Sequence, residues 1–175
     1  MRATTGLVRV VTPAYSSLMP IRLFLKIEGI KGESTDAVRT DEIEVDSYSW
    51  GVNQTASIAG GGGAGAGKPT FVDVSFTAAQ SVASPHLFLA CVEGTHLQEA
   101  VLTMRTSGKR PVDRSVVSFF DIIISSFHQH GMADDDHGTD SFSLTFATIR
   151  IESTRKDGTA TPVTAGWDVR ANKQL

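Results

Sequence analysis

Through most of this chain, polar and apolar residues alternate with a period of two. Ile21–Glu28 (IRLFLKIE) sets Ile21, Leu23, Leu25 and Ile27 against Arg22, Lys26 and Glu28, with Phe24 on the polar side. Successive side chains of a strand point to opposite faces, so the segment predicts a strand with one buried face. FVDVSF gathers Val72, Val74 and Phe76 on one side, and EAVLTMR gathers Ala100, Leu102 and Met104. EIEVDSYSW (Glu42–Trp50) alternates as well, but its apolar set moves from Ile43 and Val45 to Tyr48 and Trp50. A β-bulge inside one strand produces such a change of phase. Two later segments exceed the usual strand of about five or six residues. Ser115–Phe127 is apolar on both faces. Ser141–Ile151 sets Phe142, Leu144 and Phe146 against Ser141, Ser143 and Thr145, then changes phase to Ile149 and Ile151. A short strand at Gly166–Arg170 closes the series.

One stretch breaks the period. In SPHLFLACVEG, Ser84 is a natural N-cap, Pro85 suits a first turn that needs no donor, and Gly94 can take the left-handed position after the last turn. A helix over about 84–93 is expected. Six or seven strands with one short helix, and no strand–helix–strand alternation, predict a mainly β fold: a small antiparallel β-barrel or sandwich.

Composition narrows the function. The chain has 175 residues, enough for one domain with a buried core. Sixteen basic residues against nineteen acidic ones, a formal charge of −3, do not supply the concentrated Lys and Arg that a nucleic-acid partner requires. The basic residues pair only as Lys109-Arg110 and Arg155-Lys156. The single cysteine, Cys91, excludes an internal disulfide and reads as a packing residue in an apolar helix. No apolar run of about 18 residues occurs, so no membrane-inserted helix is expected. Residues 1–18 lack the continuous apolar core of a signal peptide. They are expected to be an extension, disordered or upstream of a natural start at Met19, with one domain over 19–175.

The glycine tract poses the sharpest chemical question. From Gly62 to Lys68 the spacing fits the phosphate-cradling G-x-x-x-x-G-K, but the next residue is Pro69, which has no N–H to offer and disfavours helical geometry before it. The segment after Pro69, TFVDVSF, is strand-like, so no phosphate site is expected. The competing reading is a long connection between strands ending near Asn53 and starting near Thr70. Such long loops are uncommon unless they serve a function, and glycines order only at large entropic cost. Gly60, Gly61, Gly62, Gly63, Ala64, Gly65, Ala66, Gly67 and Lys68 are therefore read as an interaction element. FHQHGMADDDHG places His128, His130, Asp134, Asp135, Asp136 and His137 within ten residues, a possible metal set. Gly131 and Gly138 bracket it as a solvated hairpin tip, and no metal or other cofactor is expected. His96 and Glu99 lack a third group to orient them as an acid–base pair, and no G-x-S-x-G elbow occurs, so catalysis is not expected.

Taken in order, FLKIEGIKGES, EIEVDSYSWGVNQ, the glycine tract, VDVSFT, SPHLFLACVEGTHLQEAVLTMR, IIISSF, SFSLTFATIRIE and GWDVR resemble the Hcp (haemolysin-coregulated protein) family, which forms the tube of bacterial type VI secretion. The likeness covers about residues 20–170; HQHGMADDDHGTD is more acidic and histidine-rich than the family pattern. The resemblance implies a β-barrel assembled into a homohexameric ring, with rings stacked into a tube. It also implies effector proteins in the lumen, and a spike protein and contractile sheath as partners. Assembly in the bacterial cytoplasm and export without a cleavable signal peptide are implied too, as is a role for the glycine tract (Gly60–Lys68) in reaching the neighbouring ring. From the residues themselves, a strand apolar on both faces needs cover from another copy. The small, polar face of Ser141, Ser143 and Thr145 is the candidate lumen surface; burial of these three inside a protomer would overturn that assignment. Two alternatives stand beside this reading. One is the tube of another phage-tail-like contractile particle; the other is a β-barrel metal- or ligand-binding module using the His128–His137 hairpin.

Overall fold

The computed structural model describes residues 20–54, 67–108, 110–133, 136–155 and 161–175. The expectation for residues 1–18 lies outside them. Nine strands and one helix occur among the described residues. They are β1 (Ile21–Ile27), β2 (Ile43–Val45), β3 (Ser47–Asn53), β4 (Thr70–Ala79), α1 (Ser84–Glu93), β5 (Leu97–Thr106), β6 (Asp113–His130), β7 (Thr139–Ser153), β8 (Val163–Asp168) and β9 (Lys173–Gln174). Every pairing is antiparallel.

The sheet runs β2-β1-β5-β6-β7-β4-β3, with β8 on β7 and β9 on β8. Its two outer members, β2 and β3, are separated in the chain by Asp46 alone. The Asp46 N–H donates to the Thr77 carbonyl of β4 (2.8 Å), so the sheet closes on itself at this residue. The phase change in EIEVDSYSW therefore has a different cause from the one expected. The chain does not bulge within one strand there; it leaves β1 and joins β4, and Ile43/Val45 and Tyr48/Trp50 serve two different partners. A register shift does occur further on, between Ser49 and Gly51.

The core is filled by Leu25, Ile27, Val74, Phe76, Leu102, Phe119, Ile122, Ile124, Phe142 and Leu144, each 2% exposed or less. The predicted faces of β4, β5 and β7 are mainly the buried ones, but Val72 lies exposed, Met104 and Ile151 are half-buried, and Thr103 on the other face of β5 is fully buried. In β1 the correction is larger. Phe24, expected on the polar face, is fully buried, while Ile21 is exposed. The segment after β1 folds back over that face. Arg22 pairs with Asp36 (3.2 Å) and Glu44 (2.6 Å), and its guanidinium lies 4.8 Å from the Phe24 ring centre. Arg39 reaches Asp113 at 2.6 Å, and Arg105 reaches the other oxygen of Asp113 at 2.8 Å. Gly32 makes this strap possible: a Cβ there would lie 2.4 Å from the Glu42 carbonyl oxygen.

The helix spans the expected residues, but Ser84 is not its cap. Ala83 holds the cap position with no side-chain bond, and Ser84 is the first helical residue. Its hydroxyl donates to the buried Asp140 carboxylate and accepts from the Ser81 N–H (3.0 Å). Gly94 takes the left-handed conformation as expected (φ 62), and Thr95 N–H bonds back to Ala90 (3.0 Å), closing the helix end. Cys91 is half-buried and packs against the core. The closing strand starts earlier and stops sooner than predicted, at Val163 and Asp168.

Candidate assembly surface

The two long strands β6 and β7 carry the surface of interest. Below Phe120↔Thr148, β6 is flanked by β5 and β7 by β8; above Ile122↔Phe146, β6 pairs with β7 alone while β7 gains β4 as its other neighbour. The upper region is thus a four-stranded sheet, β6-β7-β4-β3, whose marginal strands are, among the described residues, each hydrogen-bonded on one side only.

One face of this sheet holds Phe76, Phe142, Leu144 and Ile124 against the core. The other face is made mostly of hydroxyls, with the exposed Asp73 carboxylate at one edge accepting from Ser125 (2.7 Å). Ser141 and Ser143 are half-buried and Thr145 is exposed, so all three predicted residues lie on the outer face and none is in the core. The pairings bring further hydroxyls beside them that the linear pattern did not single out: Ser75 and Thr77 from β4, Ser47 and Ser49 from β3, and Ser126 with His128 from β6. Ser75 pairs its hydroxyl with that of Ser143 (2.9 Å), and Ser47 with that of Thr77 (2.6 Å). These two pairs tie β4 to its neighbours on either side, and the other hydroxyls of the face are left to water. The signal was present in VDVSFT and DSYSW, where serines interleave with core residues. Joining them into one surface required the register.

The remaining candidates separate. Of the glycine tract, residues 60–66 lie outside the described residues; the Gly67 carbonyl accepts from the Gln54 amide (2.5 Å), Lys68 is exposed, and Pro69 leads into strand β4. A strand comes after the lysine, as expected, where a phosphate loop would need a helix. Asp134 and Asp135 also lie outside the described residues, while His128, His130, Asp136 and His137 are exposed. Among the described residues no group of three or more His, Cys, Asp or Glu is placed to hold a metal. His96 does not meet Glu99 but bonds Asp121 (3.1 Å), which also pairs with Arg170 (2.6 Å). The His96 bond, aided by Arg170, holds the Asp121 carboxyl below its ordinary value. Beneath the strap, burial raises the Glu42 carboxyl above its ordinary value, opposed by Arg39. These are structural ion pairs at the foot and waist of β6, remote from the hydroxyl face. No helix among the described residues is long and apolar enough to cross a membrane.

The comparisons with known proteins bear on this architecture. Residues 24–152 match the model of the family described as type VI secretion system effector, Hcp. The chain is 35% identical over 163 residues to protein hcp1 of Pseudomonas aeruginosa, spanning 89% of this chain and 99% of that protein. Among solved structures, Hcp1 from Salmonella typhimurium superposes with a TM-score of 0.77 at 32% identity, covering 90% of this chain and 100% of the other. Hcp2 from Salmonella typhimurium gives 0.67 at 32% identity, covering 87% and 98%. A structure described as a type six secretion system protein shares the fold more closely, with a TM-score of 0.83 at 22% identity over 89% and 100% of the two chains.

Proposed function

The chain belongs to the type VI secretion Hcp family, and from that membership we propose that it is a structural tube subunit that acts by self-assembly and not by catalysis. Six copies close into a ring, rings stack into a tube, and the tube is expelled by a contracting sheath behind a spike protein. Small effector proteins travel in the lumen. Subunits assemble in the bacterial cytoplasm and leave without a cleavable signal peptide. In this reading residues 19–175 form the assembling domain, and Gly60–Lys68 reach from one ring to the next.

One observation carries the proposal: the β6-β7-β4-β3 region has hydroxyls across its outer face and a strand at each margin that, among the described residues, pairs on one side only. A strand margin with free N–H and C=O groups is a template for another chain. Two such margins, on opposite sides of one sheet, let the sheet continue from copy to copy, and a head-to-tail contact of this kind closes when its rotation permits. The continued sheet turns Ser141, Ser143 and Thr145 toward the ring's interior. Cargo there meets small hydrated hydroxyls, a wall that wets readily and holds weakly.

Negative-stain imaging and native mass measurement of the purified chain test the ring: six copies around a central hole are expected, and a monodisperse monomer would overturn the proposal. A Ser143→Cys, Cys91→Ala variant tests the lumen. A small maleimide should label it fully in the ring, whereas a polymer-linked maleimide too wide for the lumen should react far more slowly until the ring is dissociated.

A further inference from the structure

The two ends of the barrel differ in character. The pairings Ala79↔Thr139 and His130↔Thr139 set the β6–β7 turn at one end. At the other lie the base of the glycine segment, where Asn53 meets Thr70, and the start of β8, where Ser153 meets Val163. At this second end β4 and β8 compete for one side of β7: β4 takes Ser141–Leu144 and its neighbours toward the turn, and β8 takes Thr148–Ser153. The two strands diverge, and between them lies an apolar cleft of about 510 Å³ lined by Trp50, Val52, Phe71, Ile151, Ala165 and Trp167. The indole Nε1 of Trp167 is buried there with no acceptor among the described residues. Lys68 and Lys173 come directly after two further lining residues, Gly67 and Asn172.

The opposite end presents the complement. The β6–β7 turn reads GMADDDHG, and Met132 is 74% exposed, a flexible apolar side chain held out in water at the head of an acidic run. We propose that this turn of one copy seats in the Trp50/Trp167 cleft of the copy stacked upon it, with Met132 between the indoles and Asp136 toward Lys68 and Lys173. The inference rests on the self-assembly reading and names its stacking contact. One copy cannot satisfy itself in this way, because turn and cleft lie at opposite ends of the same barrel. A methionine thioether is well suited to an aromatic cleft, since it is unbranched, polarizable and favourable against ring edges. The turn's backbone carbonyls can supply the acceptor that Trp167 lacks among the described residues; a buried donor left unpaired is costly. Charge favours this orientation: Asp136 of the turn is exposed, and so are Lys68 and Lys173 beside the cleft, although Asp168 is the strand partner of Lys173. A contact between two different surfaces propagates along an axis, as a stack of rings requires.

Disulfide trapping tests it on the full chain. Two proteins, Met132→Cys and Val52→Cys, each with Cys91→Ala, are mixed at low salt and oxidised. A covalent heterodimer is expected, while either protein alone, or Met132→Cys mixed with a Val163→Cys control outside the cleft, should give several-fold less. Adding Asp136→Lys should lower the yield several-fold, and Lys68→Glu with Lys173→Glu on the partner should restore it. No cross-link above the control would overturn the contact, whether because residues 55–66 of the same chain fill the cleft or because another partner does. An Asp136→Lys loss that the reversed lysines fail to restore would overturn the proposed charge pairing. Ring formation is read separately by imaging: cross-linking without rings of six would sink the tube reading and leave the cleft contact standing, and rings without cross-linking would do the reverse.

Discussion

The lower and upper halves of the β6–β7 hairpin are made of the same two strands and lead different lives. Both strands change phase at the same level, from Val117 and Phe119 to Ile122 and Ile124 in β6, and from Ile149 and Ala147 to Phe146 and Leu144 in β7. Asp121, at the junction, has left-handed backbone geometry (φ 52), uncommon for a residue with a side chain. Below the junction the hairpin is sheathed on both flanks by β5 and β8, and its foot is fastened under the strap by Arg39, Asp113 and Arg105. Above it, β6 loses β5, α1 packs against it, and the outward face turns to serine and threonine. The lower half is built to finish a protomer. The upper half is finished on its core face and left open at its margin, the arrangement expected where another copy is to be joined.

If both halves share one core within a protomer, then Phe119→Ala in the lower half and Phe142→Ala in the upper half should each cost about 3–5 kcal/mol, because each removes a fully buried ring. Urea unfolding of the protomer measures this. A Phe142→Ala protomer as stable as its parent would mean that the upper half is held only by assembly. A smaller loss, about 1–3 kcal/mol, is expected from Asp140→Ala, which strips the acceptor from Ser84 and from the Gln129 amide (3.1 Å) where α1 is tied to the upper half. Retained helix signal with an unchanged melting temperature would show that this tie is idle.

The strap at the lower foot gives a pH signature. Burial raises the folded-state value of Glu42 above its ordinary 4.5, so its share of stability is fully present below that value and is lost as pH rises through the raised one. Glu42→Gln should therefore match the parent near pH 4 and become the more stable of the two by pH 7, read as the difference in Tm across the range. A constant difference would place the penalty elsewhere. The smallest effect is expected on the hydroxyl face. Ser143→Ala leaves Ser75 free to turn to water and should change protomer stability by no more than about 0.5 kcal/mol. A loss of several kcal/mol would make that face structural and remove the reason to assign it to cargo.

Much of this was legible in the chain because two periodicities are local properties. The alternation of Phe142, Leu144 and Phe146 with Ser141, Ser143 and Thr145 named the buried and open faces of β7 before any partner strand was known. Pro85 and Gly94 marked the helix because they answer to backbone geometry within a few residues. Ser84 was misread for an instructive reason. Its residue type favours a cap, but the buried carboxylate of Asp140, 56 residues away, claims its hydroxyl.

Phe24 and Asp46 show what no local pattern holds. Whether Phe24 faces water depends on a strap pinned by Arg22 and Arg39 to residues distant in sequence. Whether EIEVDSYSW is one strand or two depends on β1 and β4 lying on either side of Asp46. The order of residues determined strand faces, helix ends and the family to which the chain belongs, because side-chain alternation and backbone permissiveness act over short distances. The tertiary structure alone decided where the sheet closes, which hydroxyls from four strands meet as one surface, and that an apolar cleft opens where β4 and β8 part, because register and edge sharing arise only when distant strands compete for the same hydrogen bonds.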